Sequence, residues 1–298
     1  MMEDFNIYLT FDIDQDFDPG SKDYYNRTAA KFDSFGAGFQ KIINVLGGKP
    51  FSVFIRSDYQ VSKIYGSYDY LIASNPTLIE SIKRSGGELN WHIHLYCEKE
   101  GEWVPVLDDD LVEAFTTDCE QVKNISAINW RIVRIGECVM TNDLMHTLDK
   151  MGIRADSTAL PGRKRDDAEK KLDWSITGNE PYHPSSVDYR AAGNDSLGIL
   201  EIPMVTIPMK ASYDKQPISR YVNLSFKTDV LFQNMDEFIC KSGGLLSITH
   251  PFEVLSPGTH GLIAYDMQTF ERNIKELEAA VLRCGKKPVF KRVSDILQ

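Results

Sequence analysis

The sequence predicts an α/β fold built around a parallel sheet. Seven or eight apolar, strand-like runs alternate with amphipathic helical stretches along 298 residues. Repeated βα units imply a parallel sheet, either open or closed into a barrel. No internal repeat and no linker breaks the alternation, so a single domain spanning residues 1–298 is expected. Both phosphate-loop patterns, GxGxxG and GxxxxGK(S/T), are missing, which argues against a nucleotide-cofactor fold.

The first strand ends in Thr10-Phe11-Asp12-Ile13-Asp14. Strand side chains alternate, so Ile7, Leu9, Phe11 and Ile13 share one face while Tyr8, Thr10, Asp12 and Asp14 share the other. Two carboxylates aimed at one small volume repel each other unless a cation or split pKa values relieve them. A polar loop from Gln15 to Arg27 follows; it is not an EF-hand, because Phe17 and Asp23 stand where glycine and glutamate are needed. Phe32, Phe35, Phe39, Ile42 and Leu46 recur at spacings of 3, 4, 3 and 4 and predict a helix stopped by Gly47-Gly48 and Pro50. Phe51 to Ile55 is the second strand.

A helix over Thr77 to Lys83 leads into a strand from Glu88 to Tyr96. On that strand Leu89, Trp91, Ile93 and Leu95 face one way and Glu88, Asn90, His92, His94 and Tyr96 the other. The acidic run Asp108 to Asp110 suits a helix N-terminus, and Leu111, Phe115, Cys119 and Val122 form that helix's apolar face. A strand over Ile128 to Val133, a helix through Leu144, Leu148 and Met151, and a short strand over Ile153 to Ser157 come next. Thr158 to Ser196 is long, polar and aperiodic, so an excursion over the functional end is expected at about 158–196. Strand-like Leu197 to Pro208, helical Asp229 to Lys241, and a strand from Leu245 to Thr249 ending in His250-Pro251 complete the middle. Met267 to Val281 has helical period, with Asp266 as N-cap and Gly285 at C′. Pro288 to Phe290 is a last strand and Val293 to Leu297 a last helical turn.

A net charge of −10 and a pI of about 5.1 argue against nucleic acid and against insertion into or attraction to an anionic membrane. No secretory or transmembrane run is seen, so the cytoplasm is the expected location. Five scattered cysteines without a CxxC are expected as reduced thiols.

Parallel α/β sheets bind ligands at the carboxyl ends of their strands. Asp12, Asp14, His92, His94, Arg131, Arg134 and His250 all fall at such ends. Two histidine nitrogens and a carboxylate oxygen form a common zinc-type ligand set with open positions; a buried histidine pair bonded to backbone is the alternative. His146, His183 and His260 read as surface or packing residues. Trp174 and Tyr182, in the long excursion, are candidates for stacking on a ligand ring or for simple packing.

Several segments together resemble the polysaccharide deacetylase family, also called carbohydrate esterase family 4 or the NodB-homology domain. They are Thr10 to Asp14, Phe51 to Asp58, Gly87 to His94, Trp130 to Gly136 and Leu246 to Phe252, with weaker likeness at Asp156-Ser157 and Asp173-Trp174. The resemblance implies a distorted (β/α) barrel of about seven parallel strands. It implies a metal-dependent hydrolase that removes an acetyl-type acyl group from an amide nitrogen of a sugar or glycan precursor. Deformylation, cyclic-amide opening and a non-catalytic carbohydrate-binding relative are the alternatives. By that resemblance Asp12 is the general base, Asp14, His92 and His94 hold a divalent metal (zinc, or cobalt or nickel), and His250 is the general acid. Arg131 or Arg134 pairs with Asp12, although strict alternation puts the two on opposite faces. The sequence departs from the family in one respect that bears on the metal: the residue four on from His92 is Tyr96, and His94 is only two on, which leaves either a site completed by His94 from the same strand face or an incomplete metal site. Ile132 and Val133 are also bulkier than the family favours, which predicts a reshaped pocket.

Overall fold

The computed structural model describes residues 2–16, 31–107, 110–167, 170–256, 258 and 261–298. Most of the loop following Gln15, together with Asp108, Asp109 and His260, lies outside the described residues.

The strands in chain order are β1 (Glu3–Ile13), β2 (Phe51–Arg56), β3 (Gly87–Ile93), β4 (Tyr96–Lys99), β5 (Glu102–Pro105), β6 (Asn129–Ile135), β7 (Ala155–Asp156), β8 (Lys164–Asp166), β9 (Lys171–Asp173), β10 (Leu200–Glu201), β11 (Thr206–Met209), β12 (Ile218–Tyr221), β13 (Gly244–Thr249) and β14 (Lys286–Lys291). The helices are α1 (Phe39–Leu46), α2 (Tyr59–Tyr65), α3 (Tyr70–Ala73), α4 (Pro76–Arg84), α5 (Leu111–Val122), α6 (Asn142–Met151), α7 (Thr228–Leu231), α8 (Met235–Lys241), α9 (Pro251–Leu255) and α10 (Met267–Arg283).

Eight strands form one sheet in the order β10-β7-β6-β3-β2-β1-β13, with β14 also paired to β1. Every ladder in it is parallel. The sheet is a distorted (β/α) barrel, open between β13 and β10. Val222 spans that gap: its N–H donates to Val205 O at 3.0 Å, and its carbonyl accepts from Ile248 N at 2.9 Å.

β1 is the axis of the sheet. Its odd residues pack outward against helices: the Phe11 ring meets Phe39 of α1 at 5.4 Å and Phe270 of α10 at 6.1 Å, both edge-on. Its even residues, Thr10 and Asp12, therefore face the barrel interior. β2 is buried along its whole length, as expected of a strand covered on both faces. On β3 the Trp91 ring packs on Phe115 of α5 at 5.2 Å, which turns His92 inward.

Several expectations need correction, among them the single helix over Asp229 to Lys241, which is broken between α7 and α8. The helix anticipated from Phe32 starts only at Phe39; the turn Ser34–Gly38 before it is broken at Gly36, whose ψ of −121° is not helical. The strand anticipated through Tyr96 stops at Ile93, and Tyr96 opens an antiparallel hairpin, β4–β5. The strand anticipated over Leu197–Pro208 is split into β10, in the sheet, and β11, paired with β12. Cys240 and Cys284 are joined in a disulfide, not reduced as expected, because α8 and α10 lie side by side and bring their Cα atoms to 5.3 Å across 44 residues of sequence. The excursion after Ser157 contains the β8–β9 hairpin, and Trp174 within it is buried with its indole N–H on Cys138 O at 2.9 Å. Tyr182 gives its hydroxyl proton to Tyr189 O at 2.8 Å. Trp174 also packs edge-on against Tyr189 at 4.8 Å, so both aromatics are held by partners within the protein.

Candidate metal and acid–base site

The C-terminal ends of β1, β3, β6 and β13 converge on one pocket of about 210 Å³. Asp12, Asp14, His92, His94, Arg134 and His250 line it, with Gly136 and Glu137 on the β6 side and Leu160, Arg163 and Lys170 from the excursion.

Asp14, just past β1, sits at the centre. Its Oδ1 lies 3.0 Å from His92 Nε2 and 2.9 Å from His94 Nε2, and the two nitrogens are 3.1 Å apart. All three residues are buried. The protons on the far side of each ring decide what this triangle is. His92 Nδ1 lies 2.8 Å from the Arg134 carbonyl, which can only accept, so the ring proton is on Nδ1. His94 Nδ1 faces the Tyr96 hydroxyl at 3.3 Å, and that hydroxyl gives its own proton to Glu137 Oε1 at 3.0 Å. Nδ1 of His94 is then the donor as well. In the tautomers that these outer partners favour, both Nε2 atoms are free to offer a lone pair to a cation beside the Asp14 carboxylate. Donors each about 2.0–2.2 Å from one zinc-like ion stand about 3 Å apart, so the donor set and its spacing fit a divalent cation.

The i, i+2 spacing works because β3 ends at Ile93, and His94 lies on the short turn before β4. Its backbone N–H donates to Asp58 Oδ2 at 3.1 Å. Its ring lies on the backbone of Gly136: a Cβ there would be 2.3 Å from His94 Cδ2 and Nε2. Glycine is required at 136 by close approach.

Asp12 is held by Arg134, whose Nη1 is 2.5 Å from Asp12 Oδ1 and 3.0 Å from Thr10 Oγ1. The same guanidinium donates to Ser157 O and Ser157 Oγ, both at 2.9 Å, and lies over the Phe54 ring at 4.0 Å. Arg131 is not in the site. β6 carries a bulge: Asn90 pairs with Asn129, but the next residue, Trp91, pairs with Val133. Arg131 falls in the bulge, exposed, with its guanidinium over the Trp130 ring at 5.3 Å. Ile132 and Val133 are core residues and do not line the pocket.

His250, the first residue after β13, points its Nε2 at Asp14 Oδ2, 3.4 Å away, and its Nδ1 at Glu253 Oε1, also 3.4 Å away. Glu253, in the first turn of α9, is fastened through Oε2 by Asn223 Nδ2 at 2.7 Å and the His250 N–H at 3.1 Å. Burial opposes charge on His250, but the Glu253 and Asp14 carboxylates raise it well above the usual histidine range. Burial likewise pushes Asp14 up, and positive charge on the facing His94 and His92, the place a bound cation would take, outweighs it and holds the carboxyl well below its usual range.

Sequence reasoning missed Glu253, Glu137, Lys170, Arg163 and Gly136 as parts of the site. Glu253 had a signal: a histidine followed three residues later by glutamate at a helix start is the spacing of a capping pair. Glu137 and Lys170 are brought together by a turn and a long excursion, and carry none. His146 and His183 bond backbone carbonyls, Ser186 O at 2.7 Å and Ile199 O at 2.9 Å, outside the site.

No protein-family model and no curated protein matches the sequence. Solved structures do match it. A protein of Mycobacterium smegmatis named as a polysaccharide deacetylase superposes with a TM-score of 0.53 at 16% identity, covering 99% of this chain and 90% of that one. A protein of Parabacteroides distasonis named as a glycoside hydrolase/deacetylase gives 0.60 at 11% identity, covering 97% of this chain and 70% of that one. At such identities the likeness is one of fold, and it is the fold that the motif resemblance implies.

Proposed function

We propose that the chain is a metal-dependent hydrolase that removes an acetyl-type acyl group from an amide nitrogen of a sugar or glycan precursor. One observation carries the reading. Three metal-ligand-type atoms, Asp14 Oδ1 and the Nε2 atoms of His92 and His94, meet at edges of 2.9–3.1 Å in the same pocket as Asp12, bonded to Arg134, and His250, flanked by the Asp14 and Glu253 carboxylates.

A divalent cation held by those three residues, zinc or alternatively cobalt or nickel, supplies Lewis-acid polarisation of the acyl oxygen and lowers the pKa of water. The remaining work belongs to the chain. Asp12 takes the proton of the attacking water, and its charge-assisted bond to Arg134 fixes the direction in which that carboxylate points. His250 delivers a proton to the departing amine nitrogen, and Glu253 holds the imidazolium charged until then. Water adds across the C–N bond, leaving a carboxylate and an amine. A role in sugar binding alone has no use for a base and an acid on either side of a metal triad, which favours hydrolysis over a non-catalytic relative.

The test uses protein purified without chelator. The expected result is about one zinc, cobalt or nickel per chain, with acetate released from N-acetylated sugars. Asp12→Asn should lower turnover by about 10²–10⁴-fold with metal retained. His92→Ala should remove the metal. An Asp14→Ala, His92→Ala double variant that still holds stoichiometric metal would sink the assignment.

A further inference from the structure

We infer that Tyr96, Glu137 and Lys170 form a positioning chain for His94, so that Tyr96 compensates for the ligand spacing from which this sequence departs. The inference rests on the metal reading above. A histidine four residues on from His92 would occupy position 96. Here that position holds tyrosine, and the second imidazole comes from His94, on a turn between two strands. A ligand on a turn lacks the ladder that fixes His92, so its ring needs another anchor.

The anchor is hydroxyl to carboxylate to ammonium. Tyr96 is buried, and its hydroxyl accepts from His94 Nδ1 at 3.3 Å while donating to Glu137 Oε1 at 3.0 Å. Glu137 Oε2 accepts from Lys170 Nζ at 2.5 Å. The Tyr96 ring is itself held under the Arg56 guanidinium at 5.8 Å. Glu137 adopts φ +60° and the next residue, Cys138, φ +56°, both in the left-handed region that a side-chain-bearing residue seldom takes. Strain of this kind persists where surrounding contacts over-determine it, and here it aims the Glu137 carboxylate at the hydroxyl and the ammonium. The consequence is chemical: the order of donors fixes the His94 proton on Nδ1, leaving Nε2 a lone pair towards Asp14. Because Lys170 belongs to the excursion, one end of the chain rests on the segment that walls the pocket.

The experiment is a zinc titration of metal-free protein against a chromophoric chelator, with thermal melts of the metal-free forms as the folding control. Tyr96→Phe removes only the hydroxyl and should weaken zinc binding by about 10–100-fold, the usual cost of losing an outer partner of a ligating histidine. Glu137→Ala should do the same, and Glu137→Gln, which can still accept from the tyrosine, should lose less. The Tyr96→Phe, Glu137→Ala double variant should be no weaker than the worse single, because both break one chain. Binding by Tyr96→Phe within twofold of the unaltered protein, or losses that add in the double variant, would overturn the inference while leaving the metal site standing. An unaltered protein that binds no zinc would overturn both.

Discussion

At the scale of single residues, the site is built from lone pairs whose direction is set one atom away from the pocket. Asp14 and two Nε2 atoms form the triangle, but the carbonyl of Arg134 and the hydroxyl of Tyr96 favour the Nδ1-protonated tautomers, which leave both Nε2 atoms free for a cation. Gly136 belongs to the same logic. Its Cα side is filled by the His94 ring, which is held by Asp58 at the backbone and Tyr96 at Nδ1, and so cannot swing aside. Gly136→Ala is therefore expected to destabilise the protein by about 1–3 kcal/mol through overpacking and to weaken metal binding at least about tenfold. In a His94→Ala background the same substitution has nothing to strike, so its cost should largely vanish. Denaturant melts of the four proteins in the cycle check this; an undiminished cost would mean that Gly136 is needed for a reason other than the ring.

At the scale of elements, the strand–helix alternation was legible because periodicity reports burial, and burial is what β1, β2, α5 and α10 were predicted from. Asp12, Asp14, His92 and His250 were legible for the same reason: each falls at the end of an apolar run. What alternation could not supply was the choice between Arg131 and Arg134. The bulge in β6 leaves Arg131 in solvent, and a bulge is a property of two strands together, invisible in either one. The Cys240–Cys284 pair and the β4–β5 and β8–β9 hairpins have the same cause, since each depends on segments meeting in space. A further contact between elements makes a testable claim about pH. Asp118 of α5 is buried where α2 begins, accepting from Tyr59 N at 3.1 Å and from the Tyr68 hydroxyl at 2.7 Å. Burial, and then the nearby Asp58, raise its carboxyl to about 7. In the unfolded chain an aspartate titrates near 3.9. Between these values the folded state binds more protons than the unfolded one, so this residue's contribution falls as pH rises, by at most about 1.4 kcal/mol per pH unit. Asp118→Asn leaves one of the two donors badly paired and should lower stability at pH 4. It should also flatten the decline from pH 4 to 7 relative to the unaltered protein. Melting temperatures across that range decide it; parallel profiles would show that Asp118 does not titrate there.

At the scale of the whole molecule, Asp14, His92 and His94 would tie the barrel together through the proposed cation. Asp14 follows β1, His92 lies on β3 and His94 on the turn just past it, with β2 between the two strands in the sheet. A cation bound there fastens non-neighbouring strands, and it does so only when they are folded, because the donors lie 78 and 80 residues apart in sequence. Binding to the native state alone adds RT ln(1 + [L]/Kd), about 4 kcal/mol when free metal exceeds the dissociation constant a thousandfold. For a chain of 298 residues the entropy of unfolding near 60 °C is about 0.6 kcal/mol per kelvin, so that stabilisation raises the melting temperature by about 6–7 °C. Stripping the metal with chelator should reverse the shift, and adding zinc back should restore it. His92→Ala, which removes one corner of the tie, should melt at the same temperature with or without zinc. Arg131→Ala, outside the pocket on the exposed side of the bulge, should keep the full metal-dependent shift. A His92→Ala protein that still gains several degrees from zinc would place the stabilising metal elsewhere in the molecule. An Arg131→Ala protein that loses the shift would mean that the bulge, and not only the strand ends, holds the site in register.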